Sequence, residues 1–465
     1  MNRHSLHTAV LGVALTCGTA QATDGVLDVH FGIQGVARAG VSDVQFSIAS
    51  GTMIVQPDGK IVACGTRSMN GASGSDFFLA RFTAEGALDT SFSFDGRVTI
   101  DFDAGMGADG CAAIALQDDG KLVAVGSTSN GGPFDRQFAI ARLNPDGSLD
   151  TGFGAGTGKV RIPFMYSSGA AAVAIQADGR IVVAGTDVDG STDYFTDAAV
   201  ARLLPDGTLD TTFNLSGKLK FSFAVPGLTQ DYACCVAIDA LGRILVAGTV
   251  NDVPNAQFRM TVARLLPDGM LDGDFDADGR ALIDFDFGAG AANAQAEATL
   301  LQHDGRIVVA GYANTSTTGT ANYDMVAARL LQDGSFDAGF GDAGRTHVAF
   351  DVGGDRLDAA TGIVEQGNGR LLLAGLASAS TILYAATARL NRDGSLDDQF
   401  GTFGYGTRIY DFQLTAPSAQ VFSAVALQGT QIIAAGVAHV PGGTSTYDLI
   451  AARLLNDLLF ADGFE

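Results

Sequence analysis

The sequence predicts an all-β chain folded as a seven-bladed β-propeller, with four antiparallel strands per blade closed into a ring. Three observations lead there. One unit of about sixty residues recurs seven times, each copy carries four short strand candidates, and the two ends of the chain complement one another.

The repeat is plain in QPDGKIVACG (56–65), QDDGKLVAVG (117–126), QADGRIVVAG (176–185), DALGRILVAG (239–248), QHDGRIVVAG (302–311), GNGRLLLAG (367–375) and GTQIIAAG (429–436). The spacing of the closing glycines runs from 59 residues (Gly126 to Gly185) to 64 (Gly311 to Gly375). An ARF or ARL element follows each copy, and an LDxxF element stands at 27–31, 88–92, 149–153, 209–213, 271–275, 336–340 (with Phe336 for Leu) and 396–400. In the unit that begins at Leu88, residues 97–102 alternate apolar and polar as a strand does. Residues 112–117, 121–127 and 138–143 supply three more strands, and Asp119-Gly120 makes the tight turn of a hairpin. No stretch of the unit keeps a helical period. A ring removes the open edges that a linear array leaves exposed, and neither end of the chain carries the polar cap that a solenoid needs. The last unit stops after ARLLND, while LDVHFG (27–32) stands near the start, so the N-terminal segment is expected to fill the place missing after the last blade.

Composition narrows the function. The chain has 465 residues, 28 basic against 51 acidic, a net charge of -23, no Trp and 47% hydrophobic residues. A basic footprint for nucleic acid or for an anionic membrane surface is missing, and disorder is excluded by the apolar fraction. Residues 1–22 read as a signal peptide: Arg3, an apolar stretch from about Ala9 to Leu15, and Ala20-Gln21-Ala22 before cleavage after Ala22. Residues 23–458 then form the propeller and 459–465 a short tail, a possible sorting motif. The expected product is secreted or periplasmic, monomeric and without a membrane span. Cys64, Cys111, Cys234 and Cys235 remain after cleavage. Export permits disulfides and three pairings are open, but the expectation is four small buried residues in strands, since neighbours on a strand point to opposite faces.

The signature Q-x-DG-[KR]-I-V-V-A-G followed by ARL-x-x-DG-x-LD-x-x-FG resembles the delta-60 repeat family of exported bacterial proteins, a β-propeller domain of unknown function. The resemblance covers essentially the whole chain after residue 22. It implies the propeller fold and brings no activity and no catalytic positions. Leu241, Gly429-Thr430, Ser93, Asn214 and Asp276 depart from the pattern.

Repeated residues read first as structure. Arg81, Arg142, Arg202, Arg264, Arg329, Arg389 and Arg453 are expected to pair with Asp89, Asp150, Asp210, Asp272, Asp337, Asp397 and, across the closure, Asp28, because guanidinium and carboxylate match in a fork. A ring of anion sites is the functional alternative. Asp28→Ala is expected to lower the melting temperature, and an unchanged melting curve would remove the closure contact. Asp274, Asp276 and Asp278 form a D-x-D-x-D-G run of the calcium-loop kind, but Phe285 stands where such a loop places its bidentate Glu, so a solvated turn is expected and no cofactor beyond a weak calcium candidate. The tight turns and LDxxF links fall on one face. The other face carries loops that differ from unit to unit, and loops on a rigid scaffold are where recognition concentrates. Asp101, Asp103, Asp284, Asp286, Tyr194, Tyr232, Tyr323 and Tyr447 are the candidate binding face. The expected function is a binding or scaffold module for an extracellular or cell-envelope glycan or protein. The alternatives are a propeller enzyme of hydrolase or lyase type using carboxylates near the axis, and a purely structural surface protein.

Overall fold

A computed structural model describes residues 24–456 apart from 41–43, 46–52, 69–73, 103–106, 130–131, 133–134, 191–194, 224–228, 253–256, 288–290, 318–320, 351, 353–356, 381, 402–404, 413–418 and 440–446. Asp103, Tyr194, the signal-like segment and the tail at 459–465 lie outside them. The chain is all-β and propeller-like, built from four-stranded antiparallel sheets whose strands pair in chain order. One sheet runs Met53–Val55, Ile61–Ser68, Ser75–Phe82, Arg97–Ile100; the next runs Gly110–Leu116, Leu122–Thr128, Gln137–Leu143, Lys159–Ile162. Further sheets of the same order begin at Ser167–Ile175, Thr229–Ile238, Ala294–Leu301 and Asp358–Glu365. Strand limits agree with the sequence pattern to within two residues. The first strand of each sequence unit, however, pairs with the unit before it: Val98 sits opposite Leu79. Every sheet therefore borrows its outer strand from the following repeat.

The same borrowing joins the ends. Gln420–Gln428, Gln431–His439 and Tyr447–Leu454 take Val36–Arg38 as their outer strand, with Val36 opposite Ala452.

The second strand of each sheet is apolar without alternation, as in Ile61–Ser68 and Leu122–Thr128, because both of its faces are covered. Apolar clusters form between successive sheets. Leu79 and Ile100 of one sheet pack with Cys111, Leu122 and Ala141 of the next, and Val123 and Ile140 of that sheet pack with Ile181 and Ala199 beyond it. Each fully buried Val, Leu or Ile adds roughly 1.5–3 kcal/mol, so the sheets are held face to face along their whole length.

The repeated arginine is the centre of a lock. Its Nε reaches the LDxxF aspartate at 2.7 Å in Arg81–Asp89, 2.8 Å in Arg142–Asp150, 2.8 Å in Arg202–Asp210, 2.7 Å in Arg264–Asp272, 2.8 Å in Arg329–Asp337 and 2.6 Å in Arg389–Asp397. Arg453 reaches Asp28 at 2.8 Å through Nη2, joining residues 425 positions apart. The guanidinium lies over the phenylalanine of the same LDxxF element, 4.6 Å from the Phe92 ring centre for Arg81 and 4.9 Å from Phe31 for Arg453. Its Nη1 turns outward to the next repeat. Arg329 donates to the Arg392 carbonyl at 2.7 Å and Arg453 to the Ala84 carbonyl at 2.9 Å; Arg142 and Arg202 donate likewise to Pro205 and Pro267. The sequence reading recognised the ion pair but not the phenylalanine platform or the hand-off to the neighbour.

The glycine of the PDG link completes the lock. Gly207 has φ +89°, and a Cβ there would stand 2.8 Å from the Phe153 ring of the preceding repeat. Both the turn and the close approach require glycine. Gly207→Ala is expected to cost about 2 kcal/mol or more, read as a drop in the denaturation midpoint.

The cysteines depart from expectation. Cys64 and Cys111 form a disulfide across two neighbouring sheets, and Cys234 and Cys235 are bonded to each other. The argument from opposite faces holds for a regular strand, but this strand is bulged between Ala233 and Cys235, and a bulge lets adjacent side chains turn to one side.

Candidate active site

The site begins with the closing glycine of the repeat signature. Six innermost strands carry a bulge at the same position: between Cys111 and Ala113, Ala170 and Ala172, Ala233 and Cys235, Ala296 and Ala298, Ala360 and Gly362, and Phe422 and Ala424. The bulged strand pushes a carbonyl oxygen onto the glycine of the second strand. A Cβ on Gly126 would meet the Gly110 oxygen at 1.8 Å, one on Gly248 the Tyr232 oxygen at 2.1 Å, and one on Gly311 the Gln295 oxygen at 1.9 Å. The glycine is repeated because the bulge is, and a bulge re-aims one side chain. The re-aimed residues are Ala112, Ala171, Cys234, Glu297, Thr361 and Ser423.

These residues differ in chemistry. The Thr361 hydroxyl is buried and donates to the Phe422 carbonyl at 2.7 Å, and Ser423 donates to the Ala435 carbonyl at 3.4 Å. Cys234 is tied to Cys235. Glu297 is the one carboxyl at these positions. It is half-buried, and the loss of water around it pushes its pKa up to about 7. Nearby Tyr312 is pushed up to about 12, first by burial and then by the Glu297 charge.

Glu297 borders a cavity of about 420 Å³ where the innermost strands of three successive sheets meet. Ala171, Ala233, Cys234, Phe258 and Ala296 give it apolar walls, and Tyr232, Thr249, Gln295 and Glu297 supply its polar groups. Tyr232 is 40% exposed, enough to present its ring to a ligand. Further along the same strands lies a smaller space of about 180 Å³ that includes Ala172, Cys235, Ala298 and Thr361. A half-buried carboxyl that exchanges its proton near neutrality, placed at a solvent-open cavity, is suited to general acid catalysis.

A second acidic group has a structural reading. Among the described residues, Asp76, Asp101 and Asp109 bring carboxylate oxygens within 4.8 Å of one another, close enough for one hard cation to bridge. Burial raises the pKa of Asp76 and of Asp109, and neighbouring carboxylates add to it. Asp109 accepts the Phe102 N–H at 2.7 Å, and the same tie recurs where Asp358 accepts Phe350 N–H at 2.9 Å and Gln420 accepts Phe412 N–H at 2.7 Å. A neutral glutamine does the same work, so this position needs an acceptor rather than a charge.

The other sequence candidates are dispersed. Tyr232 alone among them borders the Glu297 cavity. Asp284 faces Arg259 at 3.8 Å, and Asp286 is exposed in a short hairpin with Ala291–Ala292. Tyr323 packs edge-on against Tyr312 and Tyr447 against His439, each at 5.6 Å. Asp274, Asp276 and Asp278 are exposed and are not among the carboxylates gathered within 4.8 Å; Asp278 accepts the Arg280 N–H at 2.9 Å. Glu297 was missed because it occurs once. Aligning the copies on their closing glycines would have found it, since Glu297 stands fourteen residues before Gly311 where Ala112 stands before Gly126 and Ala171 before Gly185.

Residues 56–92, 117–153, 176–213, 242–275, 302–340 and 366–400 match a family described as a domain of unknown function (DUF5122), beta-propeller. The chain is a β-propeller repeat protein. No curated protein is significantly similar to it in sequence. Among solved structures it is similar to the polysaccharide lyase Uly1, at 11% identity, covering 91% of this chain and 92% of that one, TM-score 0.48. It is also similar to the α-L-arabinofuranosidase Arb93A from Fusarium graminearum, at 11% identity, covering 73% and 91%, TM-score 0.42, and to the Penicillium chrysogenum α-L-arabinanase, at 11% identity, covering 74% and 93%, TM-score 0.40. The expectation of a binding or scaffold module is corrected here. What overturns it is the half-buried Glu297 carboxyl, with its pKa near 7, at a solvent-open cavity, and the enzyme alternative takes its place. Among the described residues no helix is long and apolar enough to cross a membrane.

Proposed function

We propose that this chain is an exported propeller enzyme that cleaves a glycan, with Glu297 as the group that delivers the proton. The carrying observation is a single carboxyl with a pKa of about 7 at an open cavity of about 420 Å³. A glycosidic oxygen leaves poorly as an alkoxide, so cleavage at neutral pH wants a neighbouring acid that still holds its proton. Export is supported by the signal-like residues 1–22 and by two disulfides, which persist in oxidising compartments.

We further propose that the propeller is of the delta-60 repeat type, with seven blades in a closed ring. Supporting this, contacts between successive repeats have counterparts across the chain ends. Ser93 N–H donates to the Asp146 carbonyl at 2.7 Å, and across the ends Gly401 N–H donates to the Asp24 carbonyl at 3.3 Å in the same role. The Gln176 amide reaches the Gly242 carbonyl at 3.3 Å, and Gln428 reaches that of Gly59 at 2.6 Å.

The test is product release by residues 23–465 from a panel of polysaccharides, read as new reducing ends, beside Glu297→Gln. The expected loss in the variant is about 10²–10⁴-fold with an unchanged circular dichroism spectrum. A wild-type chain that releases nothing, or a variant as active as wild type, would end this reading.

A further inference from the structure

We infer that the Glu297 cavity takes an uncharged glycan and turns away uronate-bearing or sulfated ones. The inference deepens the enzyme reading above and depends on the same cavity being the site.

Among the described residues the lining has no cation. Its polar groups are the Tyr232 hydroxyl, the Gln295 amide, the Thr249 hydroxyl and the Glu297 carboxyl. No lysine, arginine or histidine occurs there among the described residues. The nearest arginine along the chain, Arg259, follows the lining Phe258 and so belongs to the opposite side of its strand, where it faces Asp284 at 3.8 Å.

An anionic sugar brought into such a cavity loses water without gaining a partner, and a buried unpaired charge is strongly disfavoured. Glu297 adds like-charge repulsion whenever it is ionised. The chain as a whole carries a net charge of -23, so its field opposes the approach of a polyanion, most strongly at low salt. Hydroxyls find suitable partners in the same place. The Thr249 oxygen accepts the Ala296 N–H at 3.0 Å, which leaves its own hydrogen free to donate, and the Gln295 amide both donates and accepts. Ala171, Ala233, Phe258 and Ala296 provide the apolar surface on which the C–H face of a sugar ring can lie, in the manner of sites that combine apolar walls with few polar anchors.

The experiment uses Glu297→Gln, which binds without turnover, in affinity gels containing linear arabinan, xylan or a mixed-linkage β-glucan against polygalacturonate, alginate or carrageenan. At least one uncharged polymer is expected to retard the protein at least about tenfold more strongly than any anionic one. Ala171→Phe, which adds a ring to the cavity wall, should remove that retardation while melting like the parent. Equal or stronger retention by an anionic polymer, or no retention by any polymer, overturns the inference. The two proposals fail separately. Binding of an uncharged glycan that wild type never cleaves removes the enzyme reading alone, and cleavage of an anionic one removes this inference alone.

Discussion

Arg389→Ala is expected to destabilise the protein by about 3–5 kcal/mol, more than any other single change at a repeated arginine. Arg389 is fully buried. It holds Asp397 through Nε at 2.6 Å and Asp24 through Nη2 at 2.6 Å, and its guanidinium lies 4.7 Å from the Phe400 ring centre. Deleting it takes the guanidinium away from two largely buried carboxylates, while Arg370 stays 3.3 Å from Asp397. The penalty comes from those buried charges rather than from the worth of the pair itself. Arg306→Ala is the control. Its side chain is 40% exposed and pairs with Asp337 at 3.0 Å, so it should cost no more than about 1 kcal/mol. Chemical denaturation of the two variants side by side decides the matter, and equal midpoints would mean that the lock does not hold the sheets.

Glu297→Gln is expected to stabilise the fold at alkaline pH while abolishing turnover. The Glu297 pKa rises from 4.5 to about 7 because burial penalises the charged form. A group raised in the folded state contributes fully below its unfolded pKa and loses that contribution as pH climbs through the folded one. Wild type therefore loses stability between about pH 4.5 and 7 at this residue, and the neutral amide does not. The variant should match wild type near pH 4 and exceed it by up to about 3 kcal/mol at pH 8. Melting curves across that range test it; a difference that stays constant with pH would mean that Glu297 is not held in a dry environment. Four lock aspartates, Asp89, Asp150, Asp210 and Asp337, act in the opposite direction. Asp89 is lowered to about 2, because its Ser91 hydrogen bonds and the Arg81 and Lys60 charges outweigh the effect of burial, so its stabilisation is lost on acidification. Comparing variant with wild type cancels that term.

Several elements were legible in advance for identifiable reasons. The strand limits followed from alternation and from DG turns, both local signals. The Arg–Asp pairing followed from two charges that recur at a fixed separation of eight residues in most copies. The Phe92-type platform was not legible, because a phenylalanine after a turn reads as core until the guanidinium lying over it is seen. The Cys234–Cys235 bond was hidden by a rule for regular strands, since the bulge that breaks the rule arises only from pairing with the second strand.

The sequence by itself determined the strand-rich repeat, the turns that end its strands, the charges that recur and the complementarity of the two ends. These are properties of short windows and of their repetition, and hydrophobic period and turn chemistry act within a few residues. Only the tertiary structure decided which residue of each bulged innermost strand turns aside, and therefore that Glu297 stands beside Tyr232, Thr249 and Gln295 at one cavity. Those four residues come from three strands, spread between residues 232 and 297, and Glu297 owes its raised pKa to the water that the surrounding strands exclude. Dehydration belongs to a packed assembly and to no window of the chain.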